Sequence, residues 1–345
     1  MCRYVLTCDV AQFAPRKSSG YNDSVKNVTR IIWCTARLCS VAGVLVWVFW
    51  GTAALAQDAD QGGVLRASVN LVMVDATVKT KAGNIMGDLK KENFELREDG
   101  VEQNVQIFGR DELPLNVALV LDLSDSIEPF LGPLRDAANT ALRALKPEDE
   151  VALFTFSTEA ELRVAFTKDK SQIAQEIKTF KIGGATNIND GIFVAAKYLL
   201  GAPPKGRRVI ILISDDVATY AGGQGTHDIV TELIAADAVL YNLKIPGYNP
   251  PGTMLHAAME KGLVNIRSVM DQTGGEIFNV QDVAHLDAAF AALIERIKTR
   301  YTLGYYTKAS AALGKPHKLD VRLGPSFGKK GKDYAVLSKN GFYVH

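Results

Sequence analysis

The sequence predicts an α/β protein: a doubly wound, mostly parallel sheet accompanied by a small β-sandwich-like unit built from its flanks. Two observations carry this reading. Between residues 111 and 300, continuous apolar runs alternate with amphipathic helical patterns, and strands that are apolar on both faces belong in a parallel sheet covered by helices on each side. Outside that segment, residues 64–110 and 301–345 show short alternating runs broken by turn residues. Neither stretch is long enough to bury a core by itself. Two arrangements of these flanks are open: a single sandwich with the α/β segment inserted into it, or two separate β appendages packed on that segment.

The first 56 residues differ from the rest. Arg30 and Arg37 precede an apolar run from Val41 to Trp50, and Ala54-Leu55-Ala56 gives a small-x-small cleavage pattern before Gln57. This is the layout of a secretory signal. The run is short of the ~20 residues that a membrane span needs, so no stable span is expected after cleavage. The polar stretch from Met1 to Val28 is long for such a signal, as a start codon assigned too far upstream would leave it. Residues 57–63 read as a linker. All four cysteines (Cys2, Cys8, Cys34 and Cys39) lie in the leader, so the exported chain is expected to carry neither a disulfide nor thiol chemistry. Removing the leader's six Lys/Arg and two Asp/Glu takes the net charge from +1 to −3. That balance gives no reason to expect nucleic acid as a partner.

The elements follow in order. Leu65 to Lys79 alternates in part and ends at Ala82-Gly83-Asn84. Phe94 to Arg97 is a strand, and Glu98-Asp99-Gly100 is a hairpin turn signal leading into a strand over Val101 to Phe108. Val117 to Leu121 is a continuous apolar run ending in Asp122. Leu131, Leu134, Ala138, Leu142 and Leu145 recur at helical spacing before Pro147. Val151 to Phe156 is a strand, and Glu161 to Phe166 alternates as an edge strand does. A helix over Lys170 to Phe180 leads to Gly183-Gly184-Ala185-Thr186, and a second helix runs through Asp190, Ala195 and Leu199. Val209 to Ile213 is the most apolar strand and ends in Ser214-Asp215-Asp216. Strand–helix units at Val239 to Ile245 and Glu276 to Val280 follow, the latter with a helix over His285 to Arg300. The β pattern then returns at Tyr301 to Tyr306, Lys318 to Leu323, Tyr334 to Leu337 and Phe342 to Val344.

Three strand ends in the α/β segment therefore carry oxygen donors: Asp122-Leu123-Ser124-Asp125-Ser126, the Gly183–Thr186 loop, and Ser214-Asp215-Asp216. In a doubly wound sheet such ends converge where ligands bind. Hydroxyls and carboxylates gathered there suit a hard divalent cation. The order resembles the metal-ion-dependent adhesion site of von Willebrand factor type A (vWA) domains, a Rossmann-like fold, over about Leu115 to Arg300. The resemblance implies Asp122, Ser124 and Ser126 as first-loop ligands, Thr186 as the second-loop ligand and Asp215 as the third. It also implies a divalent cation, Mg²⁺ foremost with Mn²⁺ or Ca²⁺ as alternatives, and a protein partner that supplies an Asp or Glu. The flanks, with Asn93-Phe94-Glu95-Leu96-Arg97-Glu98-Asp99-Gly100 and Tyr301-Thr302-Leu303-Gly304-Tyr305-Tyr306, are similar to those of exported bacterial vWA-related proteins. Asp216 stands where relatives often have Gly; it would either add negative charge that tightens cation binding or cap the following loop, and the cap is expected. Asp125 is expected to face solvent, and Asp190 to complement its helix dipole.

Enzyme readings are weaker. A phosphatase of the Asp-x-Asp type needs a carboxylate where Ser124 stands. Neither Gly-x-x-x-x-Gly-Lys nor Gly-x-Gly-x-x-Gly follows the first strand of the segment, so nucleotide cradling is unsupported. The five histidines (His227, His256, His285, His317 and His345) lack metal-ligand spacing. The sequence thus points to an exported, non-enzymatic binding module, periplasmic or secreted. The competing reading is a structural or assembly scaffold whose cation only stabilises loops, with a metal-assisted hydrolase behind both. Specificity would come from the loops Ile127 to Pro133, Val217 to Thr226, and Pro246 to Thr253.

Overall fold

The computed structural model describes residues 70–110, 113–202, 206–220, 222–247, 262–308, 316–325, 327 and 333–343. The expected leader, the linker and most of the loop Pro246 to Thr253 lie outside these residues.

The α/β segment is built on a six-stranded sheet. Its strands are β5 (Leu115–Asp122), β6 (Glu150–Phe156), β7 (Ala160–Thr167), β8 (Arg207–Ser214), β9 (Ala238–Lys244) and β10 (Ile277–Asn279), in the spatial order β10-β9-β8-β5-β6-β7. All neighbours pair in parallel except β6 and the edge strand β7, which are antiparallel. The continuous apolar runs are explained by burial on both faces. Val117, Leu119 and Leu121 of β5 pack against helices α1 (Leu131–Ala144) and α2 (Lys170–Lys178). The intervening Ala118 and Val120 pack on the other face against α3 (Ile188–Gly201) and α4 (Thr226–Ala235). Helices α5 (Ile266–Thr273) and α6 (Leu286–Lys298) complete the two layers. Because β6 lies on one side of β5 and β8 on the other, the order of connection reverses at β5. This switch point puts the ends of β5 and β8 beside the crevice where ligands bind in such sheets.

The flanks form two antiparallel four-stranded sheets. One has the order β13-β1-β11-β4, the other β14-β12-β2-β3. The strands are β1 (Asn70–Thr80), β2 (Phe94–Glu98), β3 (Val101–Gln103) and β4 (Ile107–Arg110) before the α/β segment. After it come β11 (Tyr301–Thr307), β12 (His317–Leu323), β13 (Tyr334–Ser338) and β14 (Gly341–Phe342). Strands from the two ends of the chain pair directly: β1 with β11 and β2 with β12. Val74, Val78, Leu96, Leu303, Leu319 and Val321, drawn from both sheets, share one buried cluster. The single strand expected over Val101 to Phe108 is instead two. Gln103 still pairs with Leu96 of β2, whereas Ile107 pairs with Gly304 of β11. Val105, buried between them, turns the chain from one sheet to the other.

Polar contacts join the sandwich to the α/β segment. Arg300, about 1% exposed, donates to the Tyr241 hydroxyl on β9 (2.7 Å) and to the Asp75 carbonyl on β1 (3.2 Å). Glu276 meets Lys79 of β1 at 2.6 Å and Arg296 of α6 at 2.9 Å. Within the sandwich, the Tyr301 hydroxyl accepts from the Leu89 amide (2.9 Å) and donates to the Met86 carbonyl (2.8 Å), fastening the segment before β2 to β11. Replacing that hydroxyl leaves a buried amide without its acceptor. Tyr301→Phe is therefore expected to lower stability by about 1–2 kcal/mol, measured as a shift in the urea unfolding midpoint with unchanged slope.

Candidate metal centre

The first loop is organised by Asp122 itself. Its carboxylate is fully buried at the end of β5 and accepts from the Ser124 amide (2.9 Å) on one oxygen and from the Ser214 hydroxyl (2.6 Å) on the other. Ser124 then precedes a 3₁₀ turn over Asp125–Phe130, its carbonyl accepting from the Ile127 amide (3.1 Å), and its hydroxyl lies 3.2 Å from that of Ser126. Asp125 faces solvent.

Thr186 is buried just before α3. Its amide donates to the Thr219 hydroxyl (2.9 Å), and its carbonyl accepts from the amides of Thr219 (3.0 Å) and Tyr220 (3.2 Å). The second loop is thereby clamped to the third. Asp215, 3% exposed, accepts from the Val217 amide on one oxygen (3.0 Å). Its second oxygen is buried and has no hydrogen-bond partner among the described residues. Gly247 presses on that same oxygen, so closely that a Cβ there would lie 1.9 Å from it. Only glycine lets the loop after β9 approach the carboxylate this closely.

The electrostatics follow from burial. Burial pushes the Asp122 carboxyl up to about 7, against the hydrogen bonds from Ser214 and Ser124, and the negative charge of Asp215 adds to the rise. Two buried carboxylates, one with an unanswered oxygen, are costly without a positive charge between them. The neighbouring hydroxyls supply oxygen donors of the kind hard divalent cations accept. The donor set therefore fits a divalent cation.

Asp216 proves to have other business. Held in a left-handed conformation (φ 63°), it takes the Asn242 amide on both oxygens (2.9 Å each) and faces Lys244 at 3.6 Å. The expected cap on the following loop is replaced by an anchor to β9. Asp190, in the first turn of α3, also accepts from the Ala160 amide (2.8 Å), so it ties the helix to β7 besides meeting the dipole. Ser214 was not singled out from the sequence, although it stands in the third motif. A hydroxyl at the end of the neighbouring strand, one residue before the Asp, is the signal that could have identified it.

Residues 117–218 match the family model described as the von Willebrand factor type A domain, and the chain carries a vWA domain. The chain is similar to the solved structure of proximal thread matrix protein 1 from the mussel byssus "with zinc occupied MIDAS motif", at 16% identity and a TM-score of 0.41, covering 59% of this chain and 50% of that one. It is also similar to an aerotolerance-related membrane protein from Bacteroides fragilis, at 17% identity and a TM-score of 0.39, covering 53% of this chain and 98% of that one. A von Willebrand factor type A protein from Catenulispora acidiphila is similar at 10% identity and a TM-score of 0.43, covering 67% and 69%. The chain thus spans half the length of the mussel protein. No curated protein sequence matches it.

Because Asp122 is protonated more readily folded than unfolded, its contribution to stability is fully present below its ordinary value of 3.8 and is lost as pH rises towards about 7. In excess EDTA, the parent is expected to lose stability between about pH 4 and pH 7 relative to Asp122→Asn, by an amount of order 4 kcal/mol at most. Asp216, also raised by burial, acts in the same direction in both proteins, so the difference between the two urea titrations isolates Asp122.

Proposed function

We propose that this protein is an exported binding module, not an enzyme, that holds a divalent cation between Asp122, Ser124, Ser126, Thr186 and Asp215 and captures a partner protein's Asp or Glu through it. The observation that carries the reading is the buried, unpartnered oxygen of Asp215 close to the buried Asp122. Bound there, the cation would supply an electropositive centre able to accept a further carboxylate.

The chain's own residues divide the work. Asp122 and Asp215 provide negative charge, and the hydroxyls of Ser124, Ser126 and Thr186 provide neutral oxygens. A site with two carboxylates and several hydroxyls leaves a divalent ion short of full ligation, which suits capture of an acidic side chain. Mg²⁺ fits this reading best, since it keeps waters that an incoming carboxylate can replace. Ser214 positions Asp122 without being a ligand in this proposal. The rim loop before α4 and the Pro246-Gly247 turn stand beside the site and would select the partner. Export rests on the leader read from the sequence; among the described residues no helix is long and apolar enough to cross a membrane.

Calorimetric titration of Mg²⁺, Mn²⁺ and Ca²⁺ is expected to show one saturable site in the parent and none in Asp122→Ala or Thr186→Ala. Ser214→Ala should weaken it about 10–100-fold, as loss of a ligand's supporting hydrogen bond does. Retention of acidic peptides by the loaded protein should disappear in EDTA and with Asn or Gln in place of Asp or Glu. Cation binding that survives both alanine variants overturns the site. Partner binding indifferent to EDTA favours a scaffold role instead.

A further inference from the structure

The sandwich contains a second group of metal-ligating side chains, distant in sequence from the vWA loops. Glu98 closes β2, and Asp99 and Gly100 form the turn to β3, both with left-handed backbone (φ 49° and 85°), as a tight hairpin requires. His317 opens β12. Its spacing in the chain suggested no ligand role, yet the pairing of β2 with β12 brings it against the turn. Its Nδ1 lies 2.8 Å from Asp99 and 3.8 Å from Glu98. One ligand atom from each of the three residues lies within 4.8 Å of the other two.

The surroundings of Glu98 are polar but hold little positive charge. Glu98 is only 6% exposed, and its one hydrogen bond among the described residues comes from the Thr307 hydroxyl (2.7 Å). No Lys or Arg among the described residues pairs with it. The Tyr305 hydroxyl, fully buried, lies beside Glu98 without a hydrogen bond of normal geometry. Asp99 is fixed in place because its other oxygen accepts from the Lys318 amide (2.8 Å). The imidazole Nδ1 donates its proton to Asp99, while Nε2 is buried without a partner; transfer of the ring proton to Nε2 would free the Nδ1 lone pair for a cation in place of that hydrogen bond. Two carboxylates and that lone pair would then surround the position that the shared proton now holds, and a cation could replace it there.

We propose that Glu98, Asp99 and His317 form a second divalent-cation site, of the zinc class, which staples the two ends of the chain together across the inserted vWA domain. One imidazole and two carboxylates form a mixed nitrogen–oxygen set of the kind that holds Zn²⁺, whereas the vWA loops offer oxygen alone. The residues come from strands on opposite sides of the insert, 218 positions apart for Asp99 and His317. A cation bound only by the folded arrangement stabilises it by mass action, and it competes with the proton now shared between His317 and Asp99.

The test uses the untagged chain carrying Asp122→Ala, so that the vWA loops do not contribute, titrated with Zn²⁺ against a chromophoric chelator. One equivalent should bind and raise the melting temperature. His317→Gln and, separately, the nearly isosteric Glu98→Gln, added to that background, should each remove the equivalent and the thermal shift. The X-ray absorption spectrum of the loaded Asp122→Ala chain should show imidazole scattering among light-atom ligands, which keeps the question decidable if a sandwich variant fails to fold. Absence of zinc binding in Asp122→Ala, an equivalent that persists in His317→Gln, or a spectrum without imidazole overturns the proposal. Mg²⁺ binding at the vWA loops should be unchanged by His317→Gln in the Asp122 parent, so failure of this site and failure of the proposed function are read separately.

Discussion

Burying a carboxylate at the end of the innermost strand is unfavourable unless the structure answers it, and the loops of the vWA segment are arranged around that constraint. Asp122 ends β5, a central strand with neighbours on both sides and helices on both faces. Water cannot reach its carboxylate, so the Ser124 amide and the Ser214 hydroxyl take its two oxygens. The first contact shapes the turn into the segment Asp125–Phe130; the second couples β5 to β8 at the point where the connection order reverses. Asp215 follows Ser214 directly, so whatever aligns Ser214 with Asp122 also brings a second carboxylate close. The clamp between Thr186 and Thr219 then draws in the remaining loop. One buried charge thus links three separate stretches of chain.

The sandwich adds a constraint of another kind. Its strands come from both ends of the chain and pair across the whole inserted domain, so the insert starts and finishes at neighbouring strands, β4 and β11. Arg300 stands at this exit, buried, with one hand on Tyr241 of the parallel sheet and the other on Asp75 of the sandwich. Thr302, two residues on, meets the same Asp75 through its hydroxyl (2.8 Å). A shift of the α/β segment against the sandwich would strand these buried polar groups, which costs more than surface contacts of the same number. The loops that carry Asp122, Thr186 and Asp215 are therefore held on a body with a defined seating against its flanks.

Much of this was legible in the sequence because it is local. Continuous apolar runs revealed β5, β8 and β9, since both faces of each are covered, and Asp122-Leu123-Ser124-Asp125-Ser126 stood out by its place at a strand end and its resemblance to the vWA first loop. What was not legible depends on partners far along the chain. Val101 to Phe108 reads as one strand, and only the competing edges of β2 and β11 divide it. Asp216 reads as a cap because its true partner, Asn242, lies on another strand. His317 reads as an isolated surface histidine, and Glu98-Asp99-Gly100 as nothing more than a turn, until β12 is laid beside β2. In each instance the local pattern is sound, and a pairing with no local signature decides what the residue does.

The two candidate centres differ in the chemistry each can select. The vWA loops offer hydroxyls and carboxylates, hard oxygens that suit a strongly hydrated cation. The sandwich offers an imidazole, which shifts preference towards transition metals and zinc. Geometry separates their consequences as well. Asp122, Thr186 and Asp215 lie at a strand-end rim, where under the proposed function an ion with a vacant ligand position would be open to a partner. Glu98 is buried against Thr307 and Tyr305 while Asp99 is exposed at the hairpin turn, so a bound ion would sit at the sandwich edge between strands from the two flanks. An ion at the rim would make a surface adhesive, whereas an ion in the sandwich would hold the base that carries the rim. Division of the chain into an inserted domain and a closed base allows both without competition for the same ligands.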